Sequence, residues 1–215
     1  MFVGPRMKRD LITVTPGATL EEAARLLTAH RIHHLPVVVE GNRLAGILSD
    51  TDLRNATLDG IAGAADRGDS GPPLTVGEIM TRELVTLSPG DTLDDAMLVL
   101  SRQRIGALPV VEGDRLVGIL TKADILTALL STLAIEGLGV RVEVVLRRDV
   151  KEVARLVAAL ADLDVEVRSL VLALHGADRY AAFVRVATID VASVRDRLRE
   201  KGFAVGDLSD FYEAR

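Results

Sequence analysis

The chain has 215 residues, 48% hydrophobic and 27% charged, with a formal net charge of −5 and no cysteine. Such a composition describes a globular protein of one large or two to three small domains, and it excludes disulfides, thiolate metal sites and cysteine nucleophiles. The acidic balance and the 3% aromatic content argue against nucleic acid or an anionic membrane as partner, so any anion site has to be local.

The opening stretch, MFVGPRMKRD, has no apolar run of signal-peptide length, and the most apolar helix candidate, ILTALLSTLAI, is too short to span a bilayer. The expectation is a soluble cytoplasmic protein. LITV, at 11–14, predicts a short strand ended by Pro-Gly. Thr19 with Glu22 has the spacing of a capping box, opening a helix whose Leu20, Ala23, Ala24 and Leu27 recur at i, i+3, i+4, i+7. LPVVV and RLAGIL read as strands joined by the turn EGN, and a second helix follows from Ser49. NATLDGIAGAADRGDSGPP then has the Gly, Ala, Asp and Pro content of a linker.

Beyond the linker the same unit returns. Residues 3–38 and 76–111 align at a shift of 73 with 18 of 36 positions identical, and EGNRLAGILSDTDL matches EGDRLVGILTKADI at a shift of 72. LVTL is the strand, Thr92 with Asp95 the capping box, and Leu93, Ala96, Met97 and Leu100 the helical stripe. LPVV and RLVGIL form the hairpin, and the second helix, from Thr121, is expected to reach Glu136. Each copy therefore reads β-α-β-β-α.

These residues carry a resemblance. The pattern V-x-x-x-M, T-V-x-P-x-x-T-L, h-x-x-L-P-V-V and G-h-h-[ST]-x-x-D, present twice in register, resembles the CBS domain in its tandem form, the Bateman module. The resemblance implies a regulatory module that binds an adenine nucleotide in clefts between the repeats, and no catalytic activity of its own. The expected boundaries are 1–60 for the first repeat, 61–75 for the linker and 76–135 for the second repeat.

Two stretches are candidates for the ligand. Ser49 with Asp52, and Thr121 with Asp124, stand three apart at a helix start. That spacing is a capping box, in which each side chain satisfies an otherwise orphaned N–H. The same geometry lets the carboxylate accept ribose hydroxyls, while the Ser or Thr hydroxyl contacts ribose or phosphate, as the resemblance implies. AHRIHHLPVV, at 29–38, gathers His30, Arg31, His33 and His34 at a predicted helix end, where a cation is favoured by the dipole. In the second repeat Gly106 and Ala107 replace His33 and His34, so folding of the unit does not require histidine there. The stretch is similar to the basic segment that meets phosphates in nucleotide-binding CBS repeats, which implies phosphate-facing roles for His30, Arg31, His33 and His34, with Arg102 and Arg104 in the second repeat. A solvated surface or a three-imidazole metal site are the rival readings, and no Cys or clear carboxylate ligand accompanies the cluster for the latter. By resemblance, Val14, Ile32 and Pro36, with Leu87, Ile105, Ala107 and Pro109, are expected to wall the adenine.

From Gly139 the pattern changes. VRVEVVL, DVKEVARLVAALADLD, VEVRSLVLAL, YAAFVRVAT, DVASVRDRLREKG and FAVGDL read as β-α-β-β-α-β, the ferredoxin-like order. The layout resembles an ACT domain, expected over 139–210. Arg147, Arg148 and Lys151 read as solvated charge, with an anion held at the helix start as the alternative, and His175 reads as a structural hairpin-turn residue rather than a ligand.

The fold class expected is thus α/β (α+β): a Bateman module followed by a ferredoxin-like domain. That combination resembles the bacterial AcuB-type acetoin-utilisation proteins. The expectation is a non-enzymatic regulatory sensor with an adenine nucleotide (AMP, ADP or ATP) as ligand and no metal or other cofactor. It is expected to form a homodimer acting on a partner protein, without nucleic acid or membrane. The alternatives are an amino-acid-sensing ACT domain with a scaffolding CBS pair, a ligand-free dimerisation adaptor, and a metal enzyme built on the histidines.

Overall fold

The computed structural model describes residues 1–56, 74–135, 137 and 139–206, in two compact units, Met1–Leu126 and Thr127–Arg215. Most of the expected linker, the Glu136 end of the expected long helix and the chain beyond Gly206 lie outside the described residues.

In the first unit, α1 (Leu20–His30) starts where Thr19 accepts the Glu22 N–H at 3.2 Å. It stops at Arg31, whose left-handed backbone (φ 52°) turns its N–H back onto the Leu27 and Thr28 carbonyls. Strands β1 (His34–Val39) and β2 (Arg43–Ser49) form an antiparallel hairpin with a bulge between Val37 and Val38. A helix, α2, runs from 50 to 56. The second repeat opens with a short helix, α3 (Val76–Ile79), that the sequence reading did not foresee; it carries a complete capping box between Thr75 and Glu78. Then come α4 (Leu93–Arg102), β3 (Ala107–Glu112), β4 (Arg115–Thr121) and α5 (Lys122–Thr132). The bulge recurs between Val110 and Val111. The hairpins join in one sheet of order β1-β2-β4-β3.

Two expectations are corrected. LITV and LVTL do not form full strands: each contributes one parallel bridge, Val14 to Val37 and Leu87 to Val110. The Pro-Gly that follows closely cuts the pairing short. Helix α5 ends at Thr132, not in the region of Glu136, because Ala134 turns left-handed (φ 52°) and the Leu133, Ala134 and Ile135 N–H groups fold back on the last turn.

The repeats exchange their openings. Val76 and Met80, which begin the second repeat, belong to the hydrophobic core of the first, with Leu35, Val37, Leu48, Ala23 and Leu27. Thr81 bridges Ile47 on β2, and Lys8 bridges Ile119 on β4. This crossing is why each hairpin carries glycine in mid-strand. A Cβ on Gly46 would lie 2.6 Å from Met80 Sδ and 2.9 Å from the Thr81 carbonyl; one on Gly118 would collide with Met7 Sδ.

The second unit contains β5 (Val140–Arg147), α6 (Val150–Ala161), β6 (Val167–His175), β7 (Arg179–Val186), α7 (Val191–Glu200) and β8 (Ala204–Val205). Its sheet is antiparallel with order β6-β7-β5-β8. Val142, Val144 and Leu146 alternate toward a core that includes Leu156 and Leu160 of α6 and Leu198 of α7. Arg147 is tied to Glu152, and the exposed His175 ends β6, paired with Arg179 across the hairpin. Among the described residues no helix is long and apolar enough to cross a membrane.

Candidate functional site

The connection from α1 to β1 is only three residues long, so Arg31, Ile32 and His33 lie beside the start of β1 at His34. These four line a cleft of about 420 Å³ whose other wall comes from the second repeat: Gly106, and Ile119, Thr121, Lys122 and Ala123 at the β4–α5 junction, with Lys8 from the crossing segment. Every formally charged residue on its lining is a cation.

The repeat asymmetry noted at His33 and His34 has a steric counterpart here. A Cβ on Gly106 would stand 2.6 Å from His34 Nε2, so the imidazole of one repeat occupies space that glycine vacates in the other. His33 Nδ1 lies 3.3 Å from Asp50 Oδ2, and Arg54 reaches the same oxygen at 3.4 Å. Burial works to raise the Asp50 carboxyl, but the His33 hydrogen bond and the nearby Arg54 and His33 charges outweigh it and hold it below the usual carboxylate range. Burial pushes His34 down from its ordinary value, opposed by the charges of Asp50 and Asp52 and reinforced by those of His33 and Lys122.

A histidine whose folded pKa lies below its unfolded value of about 6.5 binds fewer protons in the folded protein, so its contribution is lost as pH falls through the unfolded value. The ligand-free protein is expected to be less stable to urea at pH 5 than at pH 7.5, and His34→Gln is expected to shrink that difference. An unchanged pH slope in the variant removes His34 as the cause.

At the β4–α5 junction the Thr121 N–H and hydroxyl both donate to Asp124 Oδ2, at 2.8 and 2.6 Å, and the Asp124 N–H donates to Thr121 Oγ1 at 3.2 Å. Asp124 Oδ1 meets Lys8 Nζ at 3.4 Å, across the repeats. Ser49 and Asp52 reproduce the box at 2.8, 2.7 and 3.2 Å. Both pairs are thus helix caps, and each commits one carboxylate oxygen to capping.

The other candidates are dispersed. Arg104, also left-handed at φ 56°, lines a separate groove of about 360 Å³ with Met97, Leu100, Ser101, Lys122 and Ile125. His30 and Arg102 are exposed at their helix ends, and neither they nor Ser49, Asp52 and Asp124 line the 420 Å³ cleft, although Asp124 is bonded to Thr121, which does. Of the seven adenine-wall candidates only Ile32 lines it. Val14, Leu87 and Ala107 are each 5% exposed, and Pro36 and Pro109 are also buried. Val14 and Leu87 bond by backbone to Pro36 and Pro109, and Ile105 is half-buried off the cleft. Sequence reasoning missed Lys8 and Lys122. For Lys122 the signal was the charge reversal at matched positions of the repeats, Asp50 against Lys122; Lys8, matched by Thr81, had none. Among the described residues no group of three or more His, Cys, Asp or Glu side chains is arranged to hold a metal ion.

Comparison with known proteins gives a consistent picture. The CBS domain family's sequence pattern matches residues 3–59 and 76–131. The CBS domain-containing protein YhcV of Bacillus subtilis is 35% identical over 119 residues, 55% of this chain and 79% of its own. Homoserine O-acetyltransferase of Methanohalophilus mahii is 34% identical over 127 residues, 58% of this chain, which are only 24% of the enzyme. Among solved structures, an AcuB protein from Vibrio cholerae, described as a putative acetoin utilization protein, superposes with a TM-score of 0.56 at 29% identity, covering 63% of this chain and 96% of that one. The CBS pair of protein MJ0100, in complex with methylthioadenosine and S-adenosyl-L-methionine, scores 0.53 at 30% identity, covering 60% and 99%. CBSX2 in complex with AMP scores 0.52 at 28% identity, covering 60% and 96%.

Proposed function

Because the chain belongs to the CBS domain family, we propose that it is a regulatory sensor of adenine nucleotides whose ligand occupies the 420 Å³ cleft. The observation that carries this reading is the lining itself: Lys8, Arg31 and Lys122 with the imidazoles of His33 and His34, facing the Thr121 cap. The volume falls within the range of small-molecule sites, and the cationic wall suits an anion. In this assignment Arg31, His33, His34 and Lys122 take the phosphate. Thr121 and Asp124 take the ribose, and Ile32 and Ile119 flank the base. Ser49 and Asp52 hold the matching position on the other hairpin. The adenosine ligands of the solved CBS pairs support the ligand class.

The second unit is read as an ACT-like domain, over 139–210, that passes the ligand's effect to a partner protein within a homodimer. Its β-α-β-β-α-β order and the strand order β6-β7-β5-β8 support that reading. No residue is assigned a catalytic role.

Calorimetric titration of the full chain with AMP, ADP, ATP and methylthioadenosine tests the site. AMP is expected to bind more tightly than methylthioadenosine, which has no phosphate. The double change His33→Ala/His34→Ala is expected to weaken AMP by about tenfold or more while leaving methylthioadenosine nearly unchanged. Saturable AMP binding that ignores the histidines would move the phosphate elsewhere, and absence of nucleotide binding would overturn the reading.

A further inference from the structure

The second unit has a cavity of its own, about 130 Å³, on a face of its sheet. Leu133 and Ile135 form one wall, Val171 and Phe183 supply apolar surface from β6 and β7, and Arg141 and Arg185 supply two cations. The hydroxyl of Ser169 donates to the Leu133 carbonyl at 2.9 Å, which pins that wall to β6.

The arginines are the unusual element. Arg141 on β5 and Arg185 on β7 are direct register partners, so two like charges stand opposite each other across an antiparallel pair. Such an arrangement opposes pairing unless an anion relieves it. Yet among the described residues neither guanidinium has a carboxylate partner. Arg185 spends one N–H on the Gly139 carbonyl at 3.1 Å, and Arg141 lies over the Phe183 ring, 5.2 Å from its centroid. Elsewhere in this unit Arg147 and Arg155 share Glu152, and Lys201 pairs with Asp162. Arg141 and Arg185 instead face a partly apolar hollow, and the acid on the same face of β5, Glu143, keeps a buried carboxylate oxygen that has no hydrogen-bond partner among the described residues.

We infer that this cavity binds a small monocarboxylate with a short aliphatic tail, the carboxylate on Arg141 and Arg185 and the tail against Phe183, Leu133 and Ile135. Size limits the ligand: a dry cavity of roughly 150 Å³ accommodates benzene, so about six non-hydrogen atoms fit. Planar carboxylates match the guanidinium fork, whereas the apolar wall gives a bare inorganic anion nothing. The site lies in the second unit and stands independently of nucleotide binding in the first.

The test is titration of the isotope-labelled full chain with sodium butyrate, followed by amide shifts in two-dimensional NMR, with sodium phosphate and sodium chloride as matched controls. Saturable butyrate shifts centred on Val171, Phe183 and Ser169 are expected. Arg141→Gln, at an exposed position, should weaken binding by about tenfold to a hundredfold with the spectrum of the fold retained. Arg185→Gln provides the second variant, and Phe183→Leu should weaken butyrate while leaving any phosphate response alone. Butyrate shifts no larger than those of chloride would overturn the inference. So would equal binding of phosphate, or binding indifferent to both arginine changes. AMP titration of the same samples reads the first unit separately, so failure of one site is not mistaken for failure of the other.

Discussion

Asp124→Ala is expected to weaken nucleotide binding at the cleft and to destabilise the first unit, two effects that a second substitution separates. The carboxylate accepts from the Thr121 N–H and hydroxyl and meets Lys8 from the other repeat. Losing the cap costs about 0.5–2 kcal/mol. The Lys8 pair adds little, because the lysine side chain is 60% exposed. Asp124→Asn keeps an oxygen able to accept at the cap, so its urea midpoint is expected to stay near that of the parent protein. If the carboxylate also accepts both ribose hydroxyls, the amide loses charge-assisted bonds and AMP affinity falls by about tenfold or more in both variants. AMP affinity intact in Asp124→Asn, alongside loss of stability in Asp124→Ala, would confine this residue to capping.

Alanine at the mid-strand glycines is expected to produce the largest structural effect, and to produce it unequally. At Gly46 the added Cβ meets the Thr81 carbonyl at 2.9 Å as well as Met80, and a backbone oxygen in a bridge cannot swing aside. At Gly118 the collision is with the thioether of Met7, while the Lys8 carbonyl stands at 3.2 Å. Overpacking of this kind costs about 1–3 kcal/mol. Gly46→Ala is expected at the upper end, with the reciprocal Ile47 and Thr81 amides losing protection from hydrogen exchange. Gly118→Ala is expected to cost less, and to cost still less when measured in a Met7→Ala background. Met80→Ala should not relieve Gly46→Ala to the same degree. Equal penalties at the two glycines, or equal relief by the two methionine changes, would mean that the crossing segments yield as whole pieces.

Much of the fold was legible because it is local. The capping spacings at Thr19, Thr92, Ser49 and Thr121 became helix starts, since a side chain three residues away reaches its N–H whatever surrounds it. The hairpins were legible from apolar runs around Gly-containing turns. LITV and LVTL had strand composition but obtained only single bridges, because pairing depends on what lies alongside. The candidate site was half legible. Histidine clustering and repeat asymmetry pointed to 33 and 34, but no local pattern tied them to Thr121 and Lys122, nearly ninety residues away.

By itself, the sequence determined that the first part of the chain is one unit written twice, where its helices begin, and that histidine stands in one copy where the other has glycine and alanine. Periodicity, capping and duplication are carried by neighbouring residues and survive without any knowledge of packing. Only the tertiary structure decided that each repeat's opening crosses to the other, that Gly106 makes room for His34, and that Val14 and Leu87 are core rather than cleft wall. It also brought Arg141 opposite Arg185. These are matters of burial and of approach between residues distant in the chain, and both are set by how the hairpins associate.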